Sequence, residues 1–113
     1  MHSLKSSLKV KAIIRSAQSS NLFATILRSG DKDNGIILLK LRRKDNKSIL
    51  LGKVLTVDGF YKWNDLFYNE NNWIDEIDVD KRIKKEIGFD PDIWILEIET
   101  EKFWHPLEDK IYK

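Results

Sequence analysis

The chain has 113 residues, a net charge of +2, no cysteine and 42% hydrophobic residues. These values fit one domain over residues 1–113, and they exclude disulfide bonds, thiolate nucleophiles and cysteine-ligated zinc. The apolar runs "GIILL" and "IWIL" are far shorter than the roughly 20 residues that cross a bilayer. We therefore expect a cytoplasmic protein without membrane contact, with the first few residues and the tail from about residue 103 less ordered.

Charge is divided unevenly along the chain. Residues 1–60 carry a net charge of +8 and residues 61–113 a net charge of −6. The simpler interpretation is that basic and acidic surfaces face each other within the fold or across a dimer. The alternative is that the basic half attracts a polyanion such as nucleic acid.

The first segment, "LKSSLKVKAIIRSAQSS", fits two patterns. Val10, Ile13, Ile14 and Ala17 have helical spacing, whereas Leu8, Val10, Ala12 and Ile14 alternate as in a strand. The polar end "RSAQSS" favours the helix.

Four strand-like runs follow, at residues 22–28, 35–42, 48–57 and 60–67. The connectors "SGDKDNG" and "RKDNK" contain the Asp, Asn and Gly residues typical of turns, with Gly35 in a structural role. Short polar connectors predict antiparallel neighbours, and hence a meander.

A second helix is predicted from about Asp78, as N-cap, to Ile87, with Gly88 closing it in left-handed geometry. The last strand, "IWILEIE", follows the turn "FDPD", in which Pro91 holds Asp90 extended. Along this strand Trp94, Leu96 and Ile98 share one face, so Trp94 is predicted to be a buried core residue.

The predicted fold class is α+β: an antiparallel sheet of four or five strands with two helices packed mainly on one face. The runs "GIILLKLR", "SILLGKV" and "IWIL" are apolar on both faces, and a sheet with one solvated face should alternate. Two helices on one face would leave an apolar patch, so we expect a homodimer through the other sheet face.

The acidic stretch "FDPDIWILEIE" admits two interpretations. As a metal-dependent nuclease it would need a lysine two residues after Glu97, where Glu99 stands. Asp92 and Glu97 would also lie roughly 16 Å apart on one strand. We favour a turn capped by Asp90 and Asp92, with Glu97 paired to Arg15 or Arg28.

Other metal and catalytic patterns are weak. "GDKDNG" lacks the glycine and glutamate positions of a calcium loop, and His2 and His105 are the only histidines. Glycine-rich phosphate cradles are also absent from the sequence. We expect neither a cofactor nor a metal.

The stretch "KLRRKDNK" concentrates Lys40, Arg42 and Arg43, and "FYKW" supplies aromatic residues further along. Basic residues with aromatic neighbours are what single-stranded nucleic acids require. A lysine-rich turn is also typical of a solvated sheet edge, and this second interpretation is favoured.

Three motifs occur in the order and at the spacing of a known family: "LKSSLKVKAIIRSAQ", "LRSGDKDNGIILLKL" and "FDPDIWILEIE". The chain resembles a family of small alphaproteobacterial proteins, domain of unknown function 1491, over most of residues 4–99. It departs from that family in the connectors around 42–47 and 69–73, and at Ser16, where the family has a second arginine. The resemblance implies a shape and no mechanism.

The leading hypothesis is therefore a non-enzymatic binding or accessory protein that acts through contacts with itself or another protein. A nucleic-acid-binding module is the alternative, and a hydrolase or nuclease comes third. The candidate binding residues are Arg15, Arg28, Lys40, Arg42, Arg43, Asp90, Asp92 and Glu97, and the structural ones are Gly35, Pro91 and Trp94.

Overall fold

The computed structural model describes residues 4–106. This part of the chain contains two helices and six strands. His2 and the tail beyond residue 106 lie outside the described residues. The elements are α1 (Ser6–Ser19), β1 (Phe23–Arg28), β2 (Ile37–Arg42), β3 (Lys47–Leu55), β4 (Tyr61–Asp65), β5 (Ile74–Asp75), α2 (Glu76–Phe89) and β6 (Trp94–Glu99). The α+β class and the helical first segment are confirmed.

The sheet has the strand order β1-β6-β2-β3-β4, with β5 paired to the start of β3. Strand β6 is antiparallel to β1 and parallel to β2, so the sheet is partly parallel and the predicted hairpin between β1 and β2 does not form. The reason is that β6 is apolar on both faces and therefore takes a central position. The connector of residues 29–36 is long enough to pass from β1 over β6 to β2.

The core lies on both faces of the sheet. Helix α1 packs on the face that presents Leu39, Leu51 and Leu96, and α2 packs on the face that presents Leu50 and Ile95. The prediction that both helices lie mainly on one face is therefore wrong. Central strands that are apolar on both faces need cover on both. The predicted uncovered face, on which the expected dimer depended, does not exist in this form.

Helix α1 buries Val10, Ile13 and Ala17, the stripe predicted from helical spacing. Its start is tied to the connector before β2, because Ser6 Oγ donates a 2.7 Å hydrogen bond to the carbonyl oxygen of Gly35. Burial of this stripe, rather than a side-chain cap, is what positions the helix, since Lys5 at the N-cap makes no capping hydrogen bond.

Helix α2 is longer at both ends than predicted. It begins at Glu76 after Asp75, so Asp78 lies inside the first turn and is not the N-cap. Gly88 also lies inside the helix, and Asp90, in extended conformation, follows its end. The apolar spacing predicted the helix correctly, since Val79 and Ile83 are buried. Its start depends on tertiary contacts of Glu76 that the local sequence does not show.

Trp94 is buried, with 6% of its surface exposed, as predicted. Its indole Nε1 donates a 2.7 Å hydrogen bond to the carbonyl oxygen of Asp31. Gly35 lies directly above it, and a Cβ there would stand 2.7 Å from Trp94 Cδ1 and 2.6 Å from the Asp92 carbonyl oxygen. The connector between β1 and β2 is therefore packed against the start of β6.

Neither helix within residues 4–106 is long and apolar enough to cross a membrane.

Candidate functional site

A groove lies on the α1 side of the sheet, between α1 and the β3–β4 hairpin, with a volume of about 760 Å³. A helix with its side chains is roughly 10 Å wide, whereas five strands span roughly 20 Å. Helix α1 packs beside β1, so it leaves the β3–β4 end of this face open. The groove is the space that one helix cannot cover.

The groove has walls of different chemistry. Helix α1 contributes Lys9, Ala12 and Ser16 to one wall, and the hairpin contributes Tyr61 and Trp63 to the other. The remaining lining residues are Leu4, Ser6, Ile13, Asp33, Asn34, Gly35, Ile36, Ile37, Lys53 and Pro106.

Register explains why the aromatic residues line the groove. Lys53 of β3 stands opposite Trp63 of β4, and Leu55 stands opposite Tyr61, so all four side chains point to the α1 side. The Lys53 ammonium lies 5.2 Å from the centroid of the Trp63 ring. The hairpin therefore presents an aromatic and cationic surface.

Apolar surface continues from the groove to the hairpin tip. Leu55, Tyr61 and Ile36 are 61%, 58% and 58% exposed, and Val57 is fully exposed. Single exposed apolar residues are ordinary, but a contiguous group beside a groove is typical of a binding surface.

Helix α1 carries positive charge on the groove wall and on its exposed side. Lys9 lies on its wall, and Lys11 and Arg15 lie on the exposed side of α1; none of the three forms an ion pair within residues 4–106. The acidic lining residue, Asp33, is paired with Lys5 at 3.8 Å. Arg15, a predicted binding residue, points to solvent rather than into the groove.

Two of the predicted basic residues lie on the other face of the sheet, in an ion-pair network under α2. The Lys40 Nζ atom is 2.7 Å from Glu76 Oε2 and 2.8 Å from Asp80 Oδ1. The Arg42 Nε atom is 2.9 Å from Glu76 Oε2 and 3.7 Å from Glu97 Oε1. Glu97 therefore pairs with Arg42, and not with the predicted Arg15 or Arg28.

Protonation follows from this network. Burial lowers the pKa of Lys40, but the hydrogen bonds to Asp80 and Glu76 outweigh it and hold that pKa above its ordinary value. The hydrogen bond from Lys40 holds the pKa of Glu76 below its ordinary value. Burial raises the pKa of Glu97, and the nearby Lys40 and Arg42 offset only part of that effect.

Two basic residues around the turn after β2, Arg43 and Lys47, are also ion-paired. Arg43 Nη2 is 2.5 Å from Asp45 Oδ2, and its guanidinium lies 4.7 Å from the centroid of the Trp73 ring. Lys47 Nζ is 2.6 Å from Asp75 Oδ1. The ion pairs of Lys40, Arg42 and Lys47 join the basic first half to the acidic second half, and they support the simpler interpretation of the charge pattern.

The predicted acidic site is a turn. Asp90 Oδ1 accepts a 3.1 Å hydrogen bond from the Asp92 backbone N–H, so Asp90 caps the turn as expected, whereas the Asp92 side chain does not. Arg28 Nη2 donates to the Pro91 carbonyl oxygen at 2.8 Å, and Asp31 N–H donates to the Asp92 carbonyl oxygen at 2.9 Å. These contacts join the start of β6 to the end of β1.

Within residues 4–106, no group of three or more histidine, aspartate and glutamate side chains is arranged to hold a metal ion. The structure thus separates the predicted candidates into an ion network, a turn and a solvent-facing helix surface. It brings together instead a groove that the sequence analysis missed. The alternation of Tyr61 and Trp63 on a short strand was the available signal.

Comparison with known proteins places this fold in a family. A family model described as a protein of unknown function, DUF1491, matches residues 4–108. The chain belongs to the DUF1491 family. The resemblance seen in the three motifs is thereby confirmed, and the family description states no function. No match was found among curated proteins.

Solved structures of DUF1491 proteins have the same fold. The crystal structure of a family member from Caulobacter crescentus CB15 is 30% identical, with a TM-score of 0.77 over 94% of this chain and 100% of that one. An NMR structure from the same organism gives 30% and 0.76 over 96% of each chain. A solution structure from A. tumefaciens, 23% identical with a TM-score of 0.71 over 88% of each chain, shows the fold alone.

Proposed function

We propose that this DUF1491 protein is a non-enzymatic binding protein, and that its groove takes an acidic segment of a partner protein anchored by an apolar side chain. The observation that carries the proposal is the groove itself, which α1 leaves open beside the exposed residues Ile36, Leu55 and Tyr61. A cleft of several hundred Å³ with apolar lining and a few polar groups is the usual form of a binding site.

The charge of the groove favours an acidic partner. Lys9 is on its wall, Lys11 and Arg15 are nearby on α1, and Asp33 is already paired with Lys5. An acidic segment would approach α1 without a like charge, and its apolar side chain would lie against Tyr61. Complementary charge guides encounter and selects partners more than it adds affinity.

Nucleic acid fits this surface less well. The basic residues that suggested it, Lys40, Arg42 and Arg43, are each bonded to carboxylates, two of them beneath α2. Single-stranded nucleic acid needs a continuous track of cations along its phosphates. Of the basic residues, only Lys9 and Lys53 line the groove in the described part of the chain.

A selection experiment tests the proposal. A phage-displayed library of random dodecapeptides is selected on the wild-type protein, and the expected sequences combine Asp or Glu with an aromatic or aliphatic residue. Ala12→Trp fills the groove from its exposed helical wall and should weaken a selected peptide at least about tenfold. Gln18→Trp places the same side chain elsewhere on exposed α1 and should leave affinity unchanged.

A second pair of variants tests the charge. Lys9→Glu on the wall should weaken the selected peptides, whereas Lys11→Glu, with the same charge change on the same helix, should have a smaller effect. Selected peptides that bind Ala12→Trp as tightly as wild type would show that the groove is not their binding site. An oligo-uridylate that binds in an Ala12-dependent way, when no peptide does, would replace this function by the nucleic-acid alternative.

A further inference from the structure

Strand β1 is one of the two edges of the sheet, since the strand order begins with it and its one neighbour is β6. Apart from the ladder with β6, no backbone hydrogen bond joins residues 23–28 to another segment in the described part of the chain. An edge strand of this kind presents unpaired N–H and C=O groups that can pair with another strand.

The edge is apolar and has only one of the usual protections, a β-bulge. Phe23, Ile26 and Leu27 are 68%, 43% and 47% exposed. The one charge in the strand is Arg28 at its end, and its guanidinium is directed back to the Pro91 carbonyl oxygen. Natural edges are usually guarded by lysine, proline or an inward charge, and the guard here is a bulge between Ile26 and Arg28.

We infer that β1 pairs antiparallel with β1 of a second copy of this chain, so that the two sheets become one. In antiparallel pairing about a two-fold axis perpendicular to the sheet, residue i of one copy lies opposite residue j of the other. The sum of the two residue numbers is the same for every pair and is even, because opposite residues point to the same face. With the axis at Thr25, Phe23 faces Leu27 of the other copy and Ala24 faces Ile26. Each apolar side chain of the edge then meets an apolar one, with Thr25 against Thr25.

Charge also favours a second copy over a charged partner. A two-fold axis brings identical charges of the two copies together, so the residues near the axis of a homodimer interface should be nearly neutral. In this chain 34% of the residues are charged, yet β1 has one charge in six. Helical geometry puts Ser7, Lys11, Ile14 and Gln18 on the β1 side of α1, and Lys11 is the one charged residue among them.

This pairing is independent of the groove. The groove lies beside β4, and β1 is at the opposite end of the strand order. The inferred dimer uses the sheet edge instead of the sheet face that the sequence predicted, because one helix packs on each face. A dimer formed in this way would leave both grooves open to partners.

The absence of cysteine makes a direct test simple. Thr25→Cys gives a chain with one thiol, and the two thiols of the inferred dimer would be opposite each other and close enough for a disulfide. Mild oxidation should convert this variant to a covalent dimer. Ser29→Cys, an exposed position just beyond β1, is the control and should remain largely monomeric.

Sedimentation supplies the second measurement. Wild-type protein should sediment as a dimer at tens of micromolar, and Thr25→Lys, which sets two lysines against each other, should sediment as a monomer that still unfolds cooperatively. A monomeric wild type would overturn the inference. So would a dimer that resists Thr25→Lys and does not cross-link through Thr25→Cys, because it would use another surface.

Discussion

The Nζ atom of Lys40, in β2, lies 2.7 Å from Oε2 of Glu76, the first residue of α2, and the Lys40 side chain is only 5% exposed. The contact anchors the first turn of α2 on the sheet, and a carboxylate in this turn also interacts favourably with the helix dipole. Lys40, which the sequence suggested as a nucleic-acid-binding residue, thus holds a helix on the sheet.

Removal of this buried cation should destabilise the fold. Lys40→Ala leaves Glu76 and Asp80 without their shared partner and should lower the free energy of unfolding by about 3 kcal/mol. Lys47→Ala removes the exposed pair with Asp75, and its cost should remain below about 1 kcal/mol. Urea unfolding of both variants measures the difference, and equal costs would show that Lys40 is solvated.

Two neighbouring glutamates should respond to pH in opposite ways. The pKa of Glu76 is lowered in the folded state, so its stabilisation is present above its ordinary value of 4.5 and is lost as pH falls through the folded pKa. Glu76→Gln should therefore lower the melting temperature at pH 7, at a cost of about 1–2 kcal/mol. The loss should shrink as the pH falls below 4.5.

Glu97 has a raised pKa, so its ionised form is disfavoured by folding and its favourable contribution is lost as pH rises through the folded pKa. Glu97→Gln should raise the melting temperature at pH 7. It should have little effect well below pH 4.5, where Glu97 is protonated in both the folded and the unfolded state. Melting curves at pH 3, 4 and 7 measure this. A lower melting temperature at pH 7 would mean that the pair with Arg42 outweighs burial.

Trp94 contributes both bulk and a hydrogen bond. Trp94→Ala should cost about 3–5 kcal/mol, because it leaves a cavity beneath α1. Trp94→Phe keeps most of the volume and loses the hydrogen bond to the Asp31 carbonyl oxygen, at about 1–2 kcal/mol including the imperfect fit. Guanidinium unfolding of the two variants separates these terms. A Trp94→Ala variant of wild-type stability would contradict the packing described for β6.

Two glycines should differ in the sign of their response to alanine. Gly35→Ala places a Cβ 2.6 Å from the Asp92 carbonyl oxygen and should destabilise the protein, since backbone would have to move. Gly88→Ala meets no atom within 4 Å and lies inside α2, so it should stabilise by about 0.5–1 kcal/mol. Thermal melts of both variants check this; a destabilised Gly88→Ala variant would show that the helix ends before it.

The candidate site could be predicted from the sequence only in part. Lys40 and Arg42 were predicted to be binding residues, but their partners Glu76 and Glu97 lie on elements more than thirty residues away. No local pattern specifies such pairs. The groove was missed for a related reason: its walls, from Lys9 and Ala12 to Tyr61, come from distant segments.

The sequence by itself determined the local elements: the α1 stripe of Val10, Ile13 and Ala17, the strand faces of β2 and β6, and the burial of Trp94. These depend on periodicity, which a single segment carries. Tertiary structure decided that β6 enters between β1 and β2 and that the helices lie on opposite faces. Strand order minimises exposed apolar surface over the whole sheet, and a β6 that is apolar on both faces is most fully covered at its centre.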